Sequence, residues 1–462
     1  MTVTADSTLP VRSPYSGELV GEVPVASADE LRAALDRGAA YADELSRHDR
    51  SQILFAVADR LGQRREELAA LISAESGLCL KDSRHEVGRA VDVFRFAAME
   101  TLRDDGETFP GDVSPHGRPR RAHTLRVPVR LVAAITPFNH PLNQVAHKVA
   151  PAIAAGAPIV VKPSEKVPLS AVRLLELIRD AGLPHAAAQV VCGDPAAILE
   201  GFLAHPAVEV VSFTGGVAVG KSIAARLGYR RAVLELGGND PLLILADADL
   251  KEAAELAVRG AFQNSGQRCT AVKRIIAVES VADELAARVA EGAAALRAGD
   301  PFDDATDVGT VIDEPAAELI ESRVQAAIAA GARLLHGGER DGALLTPAVL
   351  DHVTPDIELV ARETFGPVAP IIRVSGLDEA ITVANATPYA LSSGVCTFDW
   401  RAIARCIREL RAGTVNVREV PGWRTELTPF GGIGDSGLGV KEGVREAMRA
   451  MSFTKLYTLP WS

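Results

Sequence analysis

Apolar residues recur at three- and four-residue intervals through "SADELRAALDRGAAYADEL" (27–45) and "SQILFAVADRLGQRREELAALI" (51–72). That spacing lines one face of a helix. "SRHE" (83–86) has capping-box spacing and predicts another helix, opening there and running through Met99. The chain from about 27 to 104 is therefore expected to be helical. From 130 the rhythm changes, and short apolar runs ("RLVAAIT", "PIVVKPS", "AQVVC", "VEVVSFTG", "AVLELGG") alternate with amphipathic ones ("PLNQVAHKVAPAIAAG", "LSAVRLLELIRDAG", "AAILEGFLAH", "VGKSIAARLG"). Strands without polar alternation, separated by helices, predict a parallel sheet covered on both faces. A second alternating series from "DPLLILAD" to "GTVNV" predicts a second α/β lobe. "HGRPRRAHTLRVPVR" (116–130) interrupts the first lobe. It reads as a basic strand with too few apolar residues to fold alone, so it is expected to project and pair with another part of the assembly.

Length agrees with two lobes, since 462 residues exceed what one core usually supports. A formal net charge of −11 argues against a nucleic-acid-binding face. The five cysteines are odd in number and lack C-x-x-C spacing, so neither a disulfide framework nor a metal site is expected. With no signal-like or membrane-length apolar run, the expected location is cytoplasmic.

One cysteine is placed unlike the rest. "NSGQRCTAVKRI" (264–275) sets Cys269 after Arg268 on a polar turn, where a neighbouring cation would favour thiolate. Taken alone, a cysteine is more often a small buried hydrophobe, and its surroundings change that balance. "LELGGND" ends a strand on Glu235, at the sheet edge where a carboxylate can act as general base. "ITPFNHPLN" offers Asn139 as a donor to an oxyanion. "VVKPSE" supplies Lys162 and Glu165 for ribose hydroxyls, and "SFTGGVAVGKSI" places Gly215, Gly216 and Gly220 where backbone could approach a pyrophosphate.

These motifs, together with "ETFGPV" and "PFGG" and in this order, resemble the aldehyde dehydrogenase superfamily along essentially the whole chain. The resemblance implies an α/β fold with a Rossmann-like cofactor domain (1–115 and 132–236), a catalytic domain (237–440) and oligomerisation segments (116–131 and 441–462). It implies NAD as cofactor, no metal, and a homodimer or homotetramer. By position, Cys269 becomes the nucleophile, Glu235 the base and Asn139 the oxyanion donor. The cofactor contacts become Thr136, Pro137, Phe138, Lys162, Ser164, Glu165, Gly193, Thr214, Gly215, Gly216, Val219, Leu236, Glu363 and Phe365. Many members have serine where this chain has Gly216, so one pyrophosphate contact is expected to be lost or made by backbone.

The finer resemblance is to phosphonoacetaldehyde dehydrogenases, through "DDGE", "SPHG", "AHKVAPAI", "LSSGVCT" and "EVPG". It implies a substrate clamp of Arg103, His140, Arg268, Thr270 and Arg424, in which arginine forks hold an anionic group. Arg418 is expected at the same pocket, where it could fit a shorter substrate such as phosphonoformaldehyde. Sulfoacetaldehyde and phosphorylated aldehydes are alternatives. So are a coenzyme A-acylating semialdehyde dehydrogenase, against which Glu235 argues, and a silent homologue, against which the intact Cys269, Glu235 and Asn139 argue.

Overall fold

The computed structural model describes residues 7–103, 105–439 and 442–461. Residues 1–6, 104, 440, 441 and 462, which the expected domain and oligomerisation segments include, lie outside the described residues.

Two sheets carry the α/β lobes. The first has five parallel strands in the order Ala188–Val190, Ile159–Lys162, Val132–Ile135, Val210–Thr214, Arg231–Glu235. The chain steps one way from Val132–Ile135 and later returns to its other side, which makes a topological switch point between Val132–Ile135 and Val210–Thr214. Ligands bind beyond the carboxyl ends of strands at such a point. Helices Arg47–Gln63, Leu80–Thr101, Asn143–Ala155 and Leu169–Asp180 cover one face, packing around Leu54, Phe94 and Ile178. Helices Ala28–Ala39, Pro195–Ala204 and Val217–Arg226 cover the other, around Leu35 and Phe202.

The second sheet has seven strands in the order Arg333–His336, Ala348–Asp351, Val368–Val374, Val272–Val278, Asp240–Ile244, Ser392–Cys396, Thr414–Val417. All its pairs are parallel except the first. The strand Val272–Val278 is buried from end to end. It sits mid-sheet just after Cys269, so the Cys269 turn hangs from a strand buried at every position.

The basic segment behaves as a strand, but its partner lies in the same chain. Arg120–Pro128 pairs antiparallel with Ser452–Pro460 over nine residues, and Thr108–Pro110 adds on the other side. Phe109, Leu456, Tyr457, Leu459 and Trp461 remain exposed on this arm.

One helix start differs from the sequence reading. The helix over 80–101 begins at Leu80 with no side-chain cap, and "SRHE" lies inside it. Ser83 bonds Ser73 Oγ instead, and Glu86 accepts main-chain N–H groups from Leu142 and Asn143 at 2.8 and 2.9 Å. A distant helix end outbids the local box because its N–H groups are buried and need an acceptor. Ser27 does form a working capping box with Glu30.

Candidate active site

A cavity of about 250 Å³ opens at the switch point, lined by Pro137, Phe138, Asn139, Gln144, Thr214, Gly215, Gly216, Leu236, Gly237, Cys269, Glu363 and Phe365. Three segments of the first lobe and two of the second meet here.

Cys269 is set by a turn of unusual backbone. Asn264, Ser265 and Gly266 have φ of 60°, 51° and 69°. Left-handed non-glycine residues cost about 1–3 kcal/mol each and persist where surrounding bonds hold them. The Asn264 N–H donates to Asp82 Oδ2 at 2.7 Å, Ser265 Oγ donates to the Gly309 carbonyl at 3.0 Å, and Gln267 Oε1 accepts from Ile312 N–H at 2.9 Å. At Gly266 a Cβ would run into the Gly366 carbonyl, so only glycine fits. Asn139 joins the same network: its Nδ2 donates to the Gln267 carbonyl at 2.8 Å, while its own carbonyl accepts from Asn264 Nδ2 at 3.0 Å.

Electrostatics at the sulfur differ from the sequence reading. Burial pushes the Cys269 thiol up to about 12, with Asp240, Glu363 and Glu235 adding to the rise. The cation that opposes them most is Lys273, not Arg268. Lys273 Nζ donates to the carbonyls of Arg268 and Cys269 at 2.5 and 2.9 Å, lies 3.4 Å from Glu363 Oε1, and sits over the Phe365 ring. Glu363 Oε1 in turn accepts from Gly238 N–H at 3.0 Å. Lys273 thus ties the Cys269 turn to the 363–365 loop. Sequence reasoning missed it, although two adjacent cations, Lys273 and Arg274, inside an apolar buried strand were a visible signal.

The first-lobe residues assigned to the cofactor lie along the carboxyl edge of the five-stranded sheet, and Glu363 and Phe365 face them from the second lobe. Lys162 is buried and donates to Glu165 Oε2 at 2.7 Å. Ser164 Oγ accepts from Lys166 N–H, and Gly193 follows the edge strand with φ of 150°. Phe138 meets Phe365 edge to face at 5.8 Å. Val219 is half exposed on the helix Val217–Arg226, whose N-cap Gly216 supplies no side-chain acceptor. The buried hydroxyls of Thr136 and Thr214 have no hydrogen-bond partner in the protein. An uncapped helix N-terminus beside two orphaned hydroxyls fits a diphosphate, and the Lys162–Glu165 pair fits a ribose. A side chain at Gly216 would meet nothing within 4 Å, so the missing serine leaves open room rather than a clash.

The expected substrate clamp is only partly assembled. Arg268 turns back onto the preceding helix, Leu250–Phe262, donating to the Gly260 carbonyl at 2.8 Å and to Gln263 at 3.3 Å, and burial lowers its guanidinium to about 10. Its Nε is buried without an acceptor, as is Nη1 of Arg424, which stacks on Phe430 at 4.0 Å. Gly422 lies against Thr270, which brings the 422–424 loop to the nucleophile turn. His140 faces Glu86, Nδ1 to Oε2 at 3.5 Å. Arg103 does not join them. It is exposed, pairs with Glu100 at 3.4 Å, and lines a separate arginine-rich cleft beside the arm. Arg418 also points elsewhere, onto Glu252 and the Phe398 ring.

Arg89 is present instead. It pairs with buried Glu426 at 2.6 Å and lies close enough to Cys269 that a charge on the sulfur would raise it. Glu426 also bonds His147 Nε2 at 2.6 Å, and that bond together with the Arg89 guanidinium holds its carboxyl well below the usual range despite burial. Asp82, Glu86 and Arg89, at i, i+4 and i+7 on one helix, were the legible sign of an inward polar stripe.

The chain belongs to the aldehyde dehydrogenase family, whose model matches residues 2–457. It is 36% identical to 3-sulfolactaldehyde dehydrogenase of Priestia aryabhattai, over 99% of this chain and 96% of that one. It is also 36% identical to sulfoacetaldehyde dehydrogenase of Neptuniibacter caesariensis, over 96% and 97%. Among solved structures, NADP-dependent glyceraldehyde-3-phosphate dehydrogenase from Bacillus halodurans, complexed with NADP, superposes with a TM-score of 0.96 at 37% identity, covering 99% and 96%.

Proposed function

We propose that this enzyme oxidises a small anionic aldehyde to its carboxylate through a thioester on Cys269, with NAD as hydride acceptor. One observation carries the anionic part: Nη1 of Arg424, a buried guanidinium donor without an acceptor, on the loop that Gly422 brings against Thr270 beside Cys269. Leaving such a donor unpaired costs about 1–3 kcal/mol, a cost a phosphonate or sulfonate oxygen would relieve. Relatives named for sulfonate-bearing aldehydes support the same class. Within it, phosphonoacetaldehyde is the substrate the finer sequence resemblance favours, with sulfoacetaldehyde, phosphonoformaldehyde and phosphorylated aldehydes as the next to assay.

Each step falls to a named group. The Cys269 sulfur adds to the carbonyl carbon, and the resulting oxyanion accepts from Asn139 Nδ2, which has a second N–H beyond the one given to Gln267, and from the Cys269 main chain. When bound, NAD supplies the hydride acceptor and a positive ring that favours thiolate. Glu235 then takes a proton from water attacking the thioester, which yields a carboxylate and the free thiol. A hydrolytic glutamate is the reason to prefer this course over transfer to coenzyme A. The lobes read from the sequence serve these roles in the same proposal: 1–115 and 132–236 for the cofactor, 237–440 for catalysis, 116–131 and 441–462 for assembly of a dimer or tetramer.

A kinetic panel tests the reading: phosphonoacetaldehyde, sulfoacetaldehyde, glyceraldehyde 3-phosphate and propanal, ranked by kcat/KM. Anionic aldehydes should lead propanal by at least about tenfold. A lead for propanal would overturn the anionic assignment, and dependence of turnover on coenzyme A would overturn hydrolysis.

A further inference from the structure

Carboxylates of one helical pair, buried at Glu75 and Glu86 and half-buried at Asp82, reach out to three separate loops of the site. Glu75, at the end of Arg65–Ser76, accepts main-chain N–H groups from Leu169 and Ser170 at 2.8 and 3.0 Å, just past the Lys162–Glu165 loop. Glu86 accepts those of Leu142 and Asn143, just past Asn139. Asp82 accepts that of Asn264, 182 positions away, at 2.7 Å. Asp82 lies in the first turn of its own helix, yet that helix has no side-chain cap. Its carboxylate serves the nucleophile turn instead.

Asn264 is where these bonds converge. Its left-handed backbone is held by Asp82, and its side chain donates to the carbonyl of Asn139, whose amide returns to the Gln267 carbonyl. We infer that Asp82 is a positioning residue which, through Asn264, fixes the nucleophile turn and the oxyanion donor as one unit. The inference rests on the reading of Cys269 and Asn139 given above. Asp82 touches neither substrate nor cofactor in this scheme. Without its acceptor, the left-handed turn has a lower-energy backbone to relax into, and Cys269 and Asn139 move together.

Asp82→Ala and Asp82→Asn separate this from a general loss of fold, because the asparagine keeps an oxygen for the Asn264 N–H. Two measurements are made on each purified full-length variant: steady-state kinetics on the aldehyde panel, and iodoacetamide labelling followed cysteine by cysteine by mass spectrometry. Asp82→Ala should lower kcat at least tenfold with KM for NAD within about twofold, and Asp82→Asn should restore most of it. In Asp82→Ala, Cys269 should label several-fold faster as it leaves its half-buried position, with buried Cys192, Cys396 and Cys406 unchanged. Wild-type labelling of Cys269 in Asp82→Ala, equal losses in both variants, or opening of every cysteine together would overturn the inference. If the panel itself is not turned over by the wild type, the functional reading fails, while the labelling arm still decides the role of Asp82.

Discussion

Lys273 Nζ donates to the carbonyl of Cys269 at 2.9 Å and stands 3.4 Å from Glu363, so one ammonium serves the Cys269 turn and the loop facing it. With the thiol pushed up to about 12, alkylation of Cys269 in the free enzyme should rise with unit slope in log rate from pH 7 to 10, with no plateau. Lys273→Met removes the chief opposing cation, so alkylation at pH 9 should slow severalfold, and Lys273→Arg should recover part of it. A plateau near pH 8 would show that the thiol is not held up by burial.

Cys269→Ala should abolish turnover while leaving NAD affinity, measured by calorimetry, within about threefold. The sulfur is one wall of the 250 Å³ cavity and holds none of the groups that fit the dinucleotide.

Replacing Glu235 by Gln should preserve thioester formation and slow its hydrolysis. Stopped-flow absorbance should show a burst of NADH followed by a slow steady state, with an acyl adduct on Cys269 by mass spectrometry. No burst and no adduct would assign Glu235 a different role.

The Lys162–Glu165 pair bears on cofactor choice. A 2′-phosphate would have to displace Glu165 from Lys162 or face its carboxylate, so kcat/KM should favour NAD over NADP by at least about tenfold. Glu165→Gln should narrow that ratio, and equal values in the wild type would remove the preference.

Arg103→Ala should leave kcat/KM for an anionic aldehyde within about twofold, because its side chain lies outside the site cavity and pairs with Glu100. Arg424→Ala should cost about ten- to a hundredfold with the anionic aldehyde, the equivalent of ~1.5–3 kcal/mol for a charge-assisted hydrogen bond. Propanal should be affected far less. Equal losses on charged and neutral aldehydes would make Arg424 a structural residue.

The lobes were legible because parallel strands buried on both faces leave continuous apolar runs, and "RLVAAIT" and "VVSFT" became adjacent strands at the switch point. The motif residues Asn139, Gly215 and Cys269 also came together at one cavity. What sequence could not supply was direction. Arg268 adjoins the nucleophile in the chain, yet its guanidinium bonds helix carbonyls behind it. Arg103 was grouped with the clamp by motif position, and the fold carries it to another cleft. "SRHE" matched a local cap whose glutamate is claimed by an N–H 56 residues away. Only for "SRHE" did a distant partner win; Arg103 and Arg268 are held by near neighbours, Glu100 and the Gly260 carbonyl, which motif position does not reveal.

The arm sets a schedule for biosynthesis. Arg120 and Thr458, bonded across its ladder, are 338 positions apart, so the first of these strands leaves the ribosome long before its partner exists. Until then Arg120–Pro128 offers an open edge to any strand nearby, the circumstance in which chains mispair. A contact of such sequence separation is slow to close. Its arginines, at 120, 121 and 126, keep like copies of that edge apart by mutual repulsion during the wait.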